Sequence, residues 1–140
     1  MKRKRKSNLQ KKKEDPNSSL WKRKSDRLWS KLVALSYNNK CAICNTSDFT
    51  QAHHLIPREM YSHRHDLNNA ILLCCSHHKY SFQLSAHRAA AEFFKWLIKN
   101  YPEKWEWLLQ QQPSKQQSST FKESFLRLEI EYSKCINVTY

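Results

Sequence analysis

The apolar positions of the chain fall into separate blocks. Residues 1–18 are charged and polar with almost no apolar periodicity, and they read as a disordered arm. From Ser25, the positions Leu28, Trp29, Leu32, Val33 and Leu35 form a stripe of helical period, with Ser25 as cap and Asp26 in the first turn. Tyr37-Asn38-Asn39 ends that helix. Residues 41–48 have the composition of a tight knuckle, Phe49 to Ile56 that of a strand closed by Pro57, and 58–68 that of a polar loop. Ala70-Ile71-Leu72-Leu73 reads as a short buried strand, and residues 76–82 as the start of a short helix. Ser85 is expected to cap a helix through Asn100, with Phe93, Phe94, Trp96, Leu97 and Ile98 supplying apolar surface. Pro102 opens another, carrying Trp105, Trp107, Leu108 and Leu109, because proline is tolerated in a first helical turn. Gln110 to Thr120 reads QQQPSKQQSST, a low-complexity stretch. After it, the spacing of Phe125, Leu126, Leu128, Ile130 and Tyr132 fits a helix or a strand equally well. The expected organisation is a disordered basic arm over 1–18, a domain over 19–112, a linker over 113–120 and a C-terminal segment over 121–140.

Composition changes this picture in several ways. The 140 residues allow one domain with a modest core and tails. Glycine is absent, so positions that need positive φ fall to asparagine or aspartate, and Asn38-Asn39, Asn45 and Asn68-Asn69 are the candidates. Charge is concentrated. Residues 1–31 hold 13 Lys and Arg against Glu14, Asp15 and Asp26, so +10 of the net +13 sits there. Such a block attracts polyanions and releases their counterions, which makes Lys2, Arg3, Lys4, Arg5, Lys6, Lys11, Lys12 and Lys13 candidate nucleic-acid contacts. No apolar run reaches the ~18 residues of a membrane span. The charged N-terminus lacks the apolar stretch of a signal peptide, so the chain is expected in a reducing cytoplasm. Five cysteines there point to metal before disulfides.

The cysteines supply the first chemistry. Cys41 and Cys44 are separated by two residues, and thirty residues after Cys44 comes Cys74-Cys75-Ser76-His77-His78. Zinc takes four tetrahedral ligands, usually thiolates and imidazoles, and two close pairs bring them together at little entropic cost. Cys41, Cys44, Cys74 and His77 are the expected structural zinc site, with Cys75 turned away. Such a staple suits a small domain with tails.

Between the two pairs lies Ala52-His53-His54-Leu55-Ile56-Pro57-Arg58. Adjacent histidines in a strand point to opposite faces, so one can bind a metal while the other meets a different atom. Asn69 follows His54 by fifteen residues, and His78 follows Asn69 by nine. Over Cys41 to His78, read as CAIC…AHHLIP…NNAILLCCSHH, the sequence resembles the HNH (ββα-metal) endonuclease family. The run SAHRAAAEFFKWLIKNYPEKWEWL also resembles the tail of phage-borne members. The resemblance implies an α+β fold, with a ββα-metal core, a zinc-knuckle staple of treble-clef type and flanking helices. It implies a nuclease acting on the phosphodiester backbone of DNA, with His54 as general base, His53 and His78 as ligands of one catalytic divalent cation (Mg²⁺, Mn²⁺, Ni²⁺ or Zn²⁺), and Asn69 fixing the hairpin loop. Arg58, just past the strand, is the candidate phosphate contact. The sequence departs from the family at Phe82, where many members carry a further histidine ligand. His87 is the candidate replacement. His63 and His65 read as solvated or phosphate-facing loop residues. Two other readings fit part of the pattern. One is a non-catalytic zinc-stapled module that binds DNA or RNA; the other is an accessory protein of a phage packaging or recombination complex.

Overall fold

The computed structural model describes residues 5–138, so Lys2, Arg3 and Lys4 lie outside the described residues. The elements run α1 (Asn8–Glu14), α2 (Ser19–Ser36), β1 (Thr50–His54), β2 (Ala70–Cys74), a π-helical turn (Ser76–Tyr80), α3 (Ala90–Asn100), α4 (Pro102–Gln110) and α5 (Phe121–Asn137). Among the described residues no helix is long and apolar enough to cross a membrane.

The centre is an antiparallel hairpin in which His53 pairs with Ile71 and His54 with Ala70. All five residues of β2 are buried, so its alternation serves two cores. Ile71 and Leu73 join Cys41, Leu55, Phe93 and Leu97 on the face toward α3. Ala70 and Leu72 join Trp29, Leu32, Val33 and Leu128 on the face toward α2 and α5. The hairpin is thus the middle layer between two helical layers. Residues directly opposite in an antiparallel pair share a face. His53 therefore lies on the α3 side and His54 on the α2 side, as the alternation of strand residues requires.

Several boundaries differ from expectation. Residues 8–14, expected within a disordered arm, form the short helix α1, capped by Ser7 and without a buried residue. Helix α2 starts at Ser19, six residues before the expected cap. Ser25 is fully buried inside it, and its hydroxyl donates to the Phe121 carbonyl at 2.8 Å. The last segment resolves its ambiguity as a helix. Thr120 and Glu123 form a reciprocal capping box, and the buried stripe Phe121, Ser124, Leu128 lies along α2. The two helices run parallel: Phe121 N–H donates to Asn17 Oδ1, Trp21 meets Phe125, and Lys31 lies over the Tyr132 ring. The low-complexity stretch is tied down as well, with Ser62 N–H donating to the Ser114 carbonyl at 3.1 Å and Ser114 N–H to Ser62 Oγ at 2.9 Å.

Three expected asparagines take positive φ, namely Asn38, Asn39 and Asn45; Asn68 and Asn69 do not. Among the described residues the fourth with positive φ is Phe49 at 50°, a bulky side chain in a conformation that disfavours it. Its carbonyl accepts from Cys75 N–H at 3.1 Å, which joins the knuckle to the end of β2.

Candidate nuclease and metal centres

The two close ligand pairs, Cys41–Cys44 and Cys74–His77, meet where the knuckle packs on the end of β2. Cys41, Cys44, Cys74 and His77 bring one ligand atom each within 4.8 Å of one another. Cys44 Sγ and Cys74 Sγ are 3.8 Å apart, and His77 Nδ1 is 3.7 Å from Cys41 Sγ and 3.3 Å from Cys74 Sγ. Metal–ligand bonds of ~2.3 Å to sulfur and ~2.1 Å to nitrogen in a tetrahedron imply edges of roughly 3.8 Å and 3.6 Å. The donor set and its spacing fit a zinc-type site. The electrostatics fit it too. Burial opposes ionisation of the Cys41 thiol, but the backbone N–H groups of Cys44, Cys74 and Ile43 outweigh it and lower its pKa. Burial and the neighbouring Cys41 push Cys74 up to about 11. A bound cation relieves that mutual repulsion of thiolates. Cys75 stands outside the group.

The second group is His53, His78 and His87, again within 4.8 Å of one another. His53 projects from β1 toward α3. His78 comes from the π-helical turn, one residue after the zinc-type ligand His77. Its Nδ1–H donates to Gln51 Oε1 at 2.9 Å, which leaves Nε2 as the lone-pair nitrogen. That Nε2 lies 3.1 Å from Nε2 of His87. Two imidazole ligands at ~2.1 Å from one ion, subtending 90–110°, stand roughly 3.0–3.4 Å apart, so this spacing suits ligation of a shared cation. Burial lowers the pKa of His53 to about 3 and that of His78 to about 4, with neighbouring imidazoles adding to the effect. Both rings are neutral at pH 7, the form that binds metal.

His87 reaches the group because the expected helix start fails. Helix α3 begins at Ala90 rather than after Ser85. Ser85 caps a turn instead: its Oγ accepts from Arg88 N–H at 3.1 Å and donates to the Ser81 carbonyl at 2.7 Å. His87 N–H then donates to the His78 carbonyl at 3.1 Å, which sets the two rings side by side. Phe82, at the position where many family members carry a further histidine ligand, points to solvent with 76 % of its surface exposed and carries the Arg88 guanidinium 3.7 Å over its ring.

His54 has a different setting. Its Nε2 lies 2.9 Å from the Arg64 carbonyl, an acceptor only, so Nε2 carries the proton and Nδ1 the lone pair. Its ring stacks on the Trp29 indole with centroids 3.9 Å apart and planes at 10°. Burial lowers the pKa of His54 and outweighs the opposing pull of the carbonyl. Asn69 is fully buried at the far end of the loop. Its Oδ1 accepts from Ile56 N–H at 2.6 Å, and its Nδ2 donates to the Ile56 and His63 carbonyls at 3.0 Å each.

The remaining sequence candidates divide. Arg58 is exposed beside Glu59, 3.6 Å away, and Arg5, Lys6, Lys11, Lys12 and Lys13 are exposed. His65, read as solvated or phosphate-facing, is buried instead and bonds through Nε2 to Asp26 Oδ1 at 2.8 Å. His63 is held between Ser62 and Gln111. Gln51, Trp29, Asp26 and Arg64 were not singled out as site residues in the sequence. Gln51 carries a weak signal, a polar residue two positions before His53 on the same strand face.

Residues 41–82 match the family model described as HNH endonuclease. No curated protein and no solved structure matches the chain. The matched stretch runs from the first cysteine of the knuckle to Phe82, so it takes in the hairpin and the π-helical turn but stops short of His87 and of every α-helix. Over Cys41 to Phe82, this chain is similar to the HNH endonuclease family.

Proposed function

We propose that the protein is a metal-dependent endonuclease that hydrolyses phosphodiester bonds of DNA. The observation that carries this reading is the setting of His54. A neutral imidazole with Nε2–H fixed on a carbonyl presents a basic Nδ1, on the strand residue next to His53 of the three-histidine group. β1 is the edge strand of a two-stranded sheet, so a phosphate at its open edge meets residues of both faces. His54 Nδ1 takes a proton from a water molecule as its oxygen attacks phosphorus. The bond from phosphorus to the 3′ oxygen breaks, and that oxygen takes a proton from solvent. His53, His78 and His87 would hold one divalent cation, with Gln51 fixing the tautomer of His78. Such a cation would supply positive charge near the reacting phosphate and the departing 3′ oxygen. Asn69 holds the loop that carries the Arg64 carbonyl, and Cys41, Cys44, Cys74 and His77 would bind structural zinc. Arg58 and the basic residues 5–13 are proposed phosphate contacts, supported by their exposure and charge.

The test is plasmid nicking by the wild type and His54→Ala, with Mg²⁺, Mn²⁺ or Ni²⁺, alongside the zinc content of each protein. The wild type should cut, and His54→Ala should keep its zinc and lose cutting. Cys41→Ala should lose zinc and unfold. A wild type that fails to cut with every metal leaves a non-catalytic nucleic-acid-binding module as the better account.

A further inference from the structure

Helix α2 lies outside the stretch that matches the family, yet it grips the loop between β1 and β2 at three consecutive residues. The Asp26 carboxylate receives both Nε–H and Nη2–H of Arg64, at 2.8 and 2.9 Å, in a bidentate pair. His65 Nε2–H donates to the same carboxylate. One helical turn on, Trp29 Nε1–H donates to the Asp66 carbonyl at 3.0 Å. The Arg64 guanidinium spends its remaining direction on the Arg58 carbonyl at 2.9 Å, and the Arg64 side chain is buried. The carbonyl of this clamped residue is the one that His54 Nε2–H donates to. The same helix also supplies the flat face against which the His54 ring lies.

We propose that Trp29 and Asp26 are positioning residues for His54, so that helix α2 is the wall that completes the nuclease centre. Asp26 acts through Arg64. It fixes the carbonyl that selects the tautomer with a free Nδ1 and sets the direction of the ring. Trp29 removes the remaining freedom, rotation of the ring out of its plane. Without the carbonyl in place, the two tautomers compete, and the wrong one offers water an N–H instead of a lone pair. Without the indole, the ring has no partner on that face and loses its aim. This inference rests on the assignment of His54 as the base, and the two can fail separately.

The experiment compares the wild type, Trp29→Phe, Trp29→Leu and Asp26→Asn, all loaded with zinc. Three readouts are taken: kcat and KM for nicking, Mn²⁺ binding by calorimetry, and the ¹⁵N shifts of His54. Asp26→Asn and Trp29→Leu should lower kcat by roughly 10–100-fold with KM and Mn²⁺ affinity within about two-fold, the scale of a misplaced catalytic group. Trp29→Phe, which keeps an aromatic face, should recover most of the rate. In the wild type the His54 shifts should report the Nε2–H tautomer, and in Asp26→Asn a mixture. Trp29 is a core residue, so if Trp29→Leu does not fold, Asp26→Asn and Trp29→Phe decide. Wild-type kcat and an unmixed tautomer in Asp26→Asn would overturn the proposal. So would Trp29→Leu cutting at the wild-type rate. If His54→Ala also cuts normally, the assignment of the base fails, and the tautomer measurement still judges the wall.

Discussion

Asn69 shows how one side chain can hold a fifteen-residue loop. Its three hydrogen bonds reach both the first turn of the loop and its middle, and none of its polar atoms meets water. Asn69→Ala leaves the Ile56 N–H and two carbonyls without that partner in a buried setting. Each such group costs about 1–3 kcal/mol when unsatisfied, so the variant should lose at least about 3 kcal/mol in denaturant unfolding. Its cutting rate should fall as well, because the Arg64 carbonyl rides on the same loop. At this scale the sequence was informative where covalent spacing decides. The cysteine pairs and the double histidine are confined to a few ångströms by the chain itself. Trp29 and Asp26 were not legible as site residues. A tryptophan in an apolar stripe and an aspartate near the start of a helix have ordinary explanations, and only the loop folded back against α2 distinguishes them. His65 reads as solvated or phosphate-facing in the sequence for the same reason.

At the scale of elements, the strands were readable because β2 is five apolar or cysteine residues in a row and β1 follows the knuckle directly. Helix ends were not. Ser25 and Ser85 are both good caps by residue type, but each hydroxyl has a partner elsewhere, Ser25 with Phe121 and Ser85 with Ser81 and Arg88. The delay of α3 to Ala90 is what frees His87 for the three-histidine group. Helix α5 was ambiguous because the spacing of its apolar residues fits a strand as well as a helix, and its helicity is settled by packing on α2 together with the capping box. Leu128 is the most deeply buried residue of the α5 stripe and belongs to the same cluster as Trp29. Leu128→Ala should cost about 2–5 kcal/mol by thermal or chemical unfolding. Part of the loss should appear as weakened nicking, since the same cluster backs the ring that faces His54.

At the scale of the molecule, the charge is lopsided. The basic block of the first 31 residues is continuous with α2, whose Arg23, Lys24, Arg27 and Lys31 are exposed. The same helix therefore presents Asp26 and Trp29 to the hairpin and cations to solvent. Deleting residues 1–18 should weaken DNA binding and flatten its dependence on salt, by roughly 0.9 in log–log slope for each phosphate that the arm neutralises. Titrations at several salt concentrations measure this, and an unchanged slope would show that the arm neutralises no phosphates.

The parallel pairing of α2 with α5 also fixes an order in time. Ser25 and Phe121 are 96 residues apart, whereas the hairpin and both ligand groups are complete by His87. During synthesis at ~5–20 residues per second, about two to seven seconds separate the emergence of His87 from that of Phe121. Over that interval the outer stripe of α2 has no cover, because pairings so distant in sequence form late. The chemistry is therefore encoded early and braced last. A nascent chain holds every histidine of the proposed nuclease centre before it holds the helix that backs their wall.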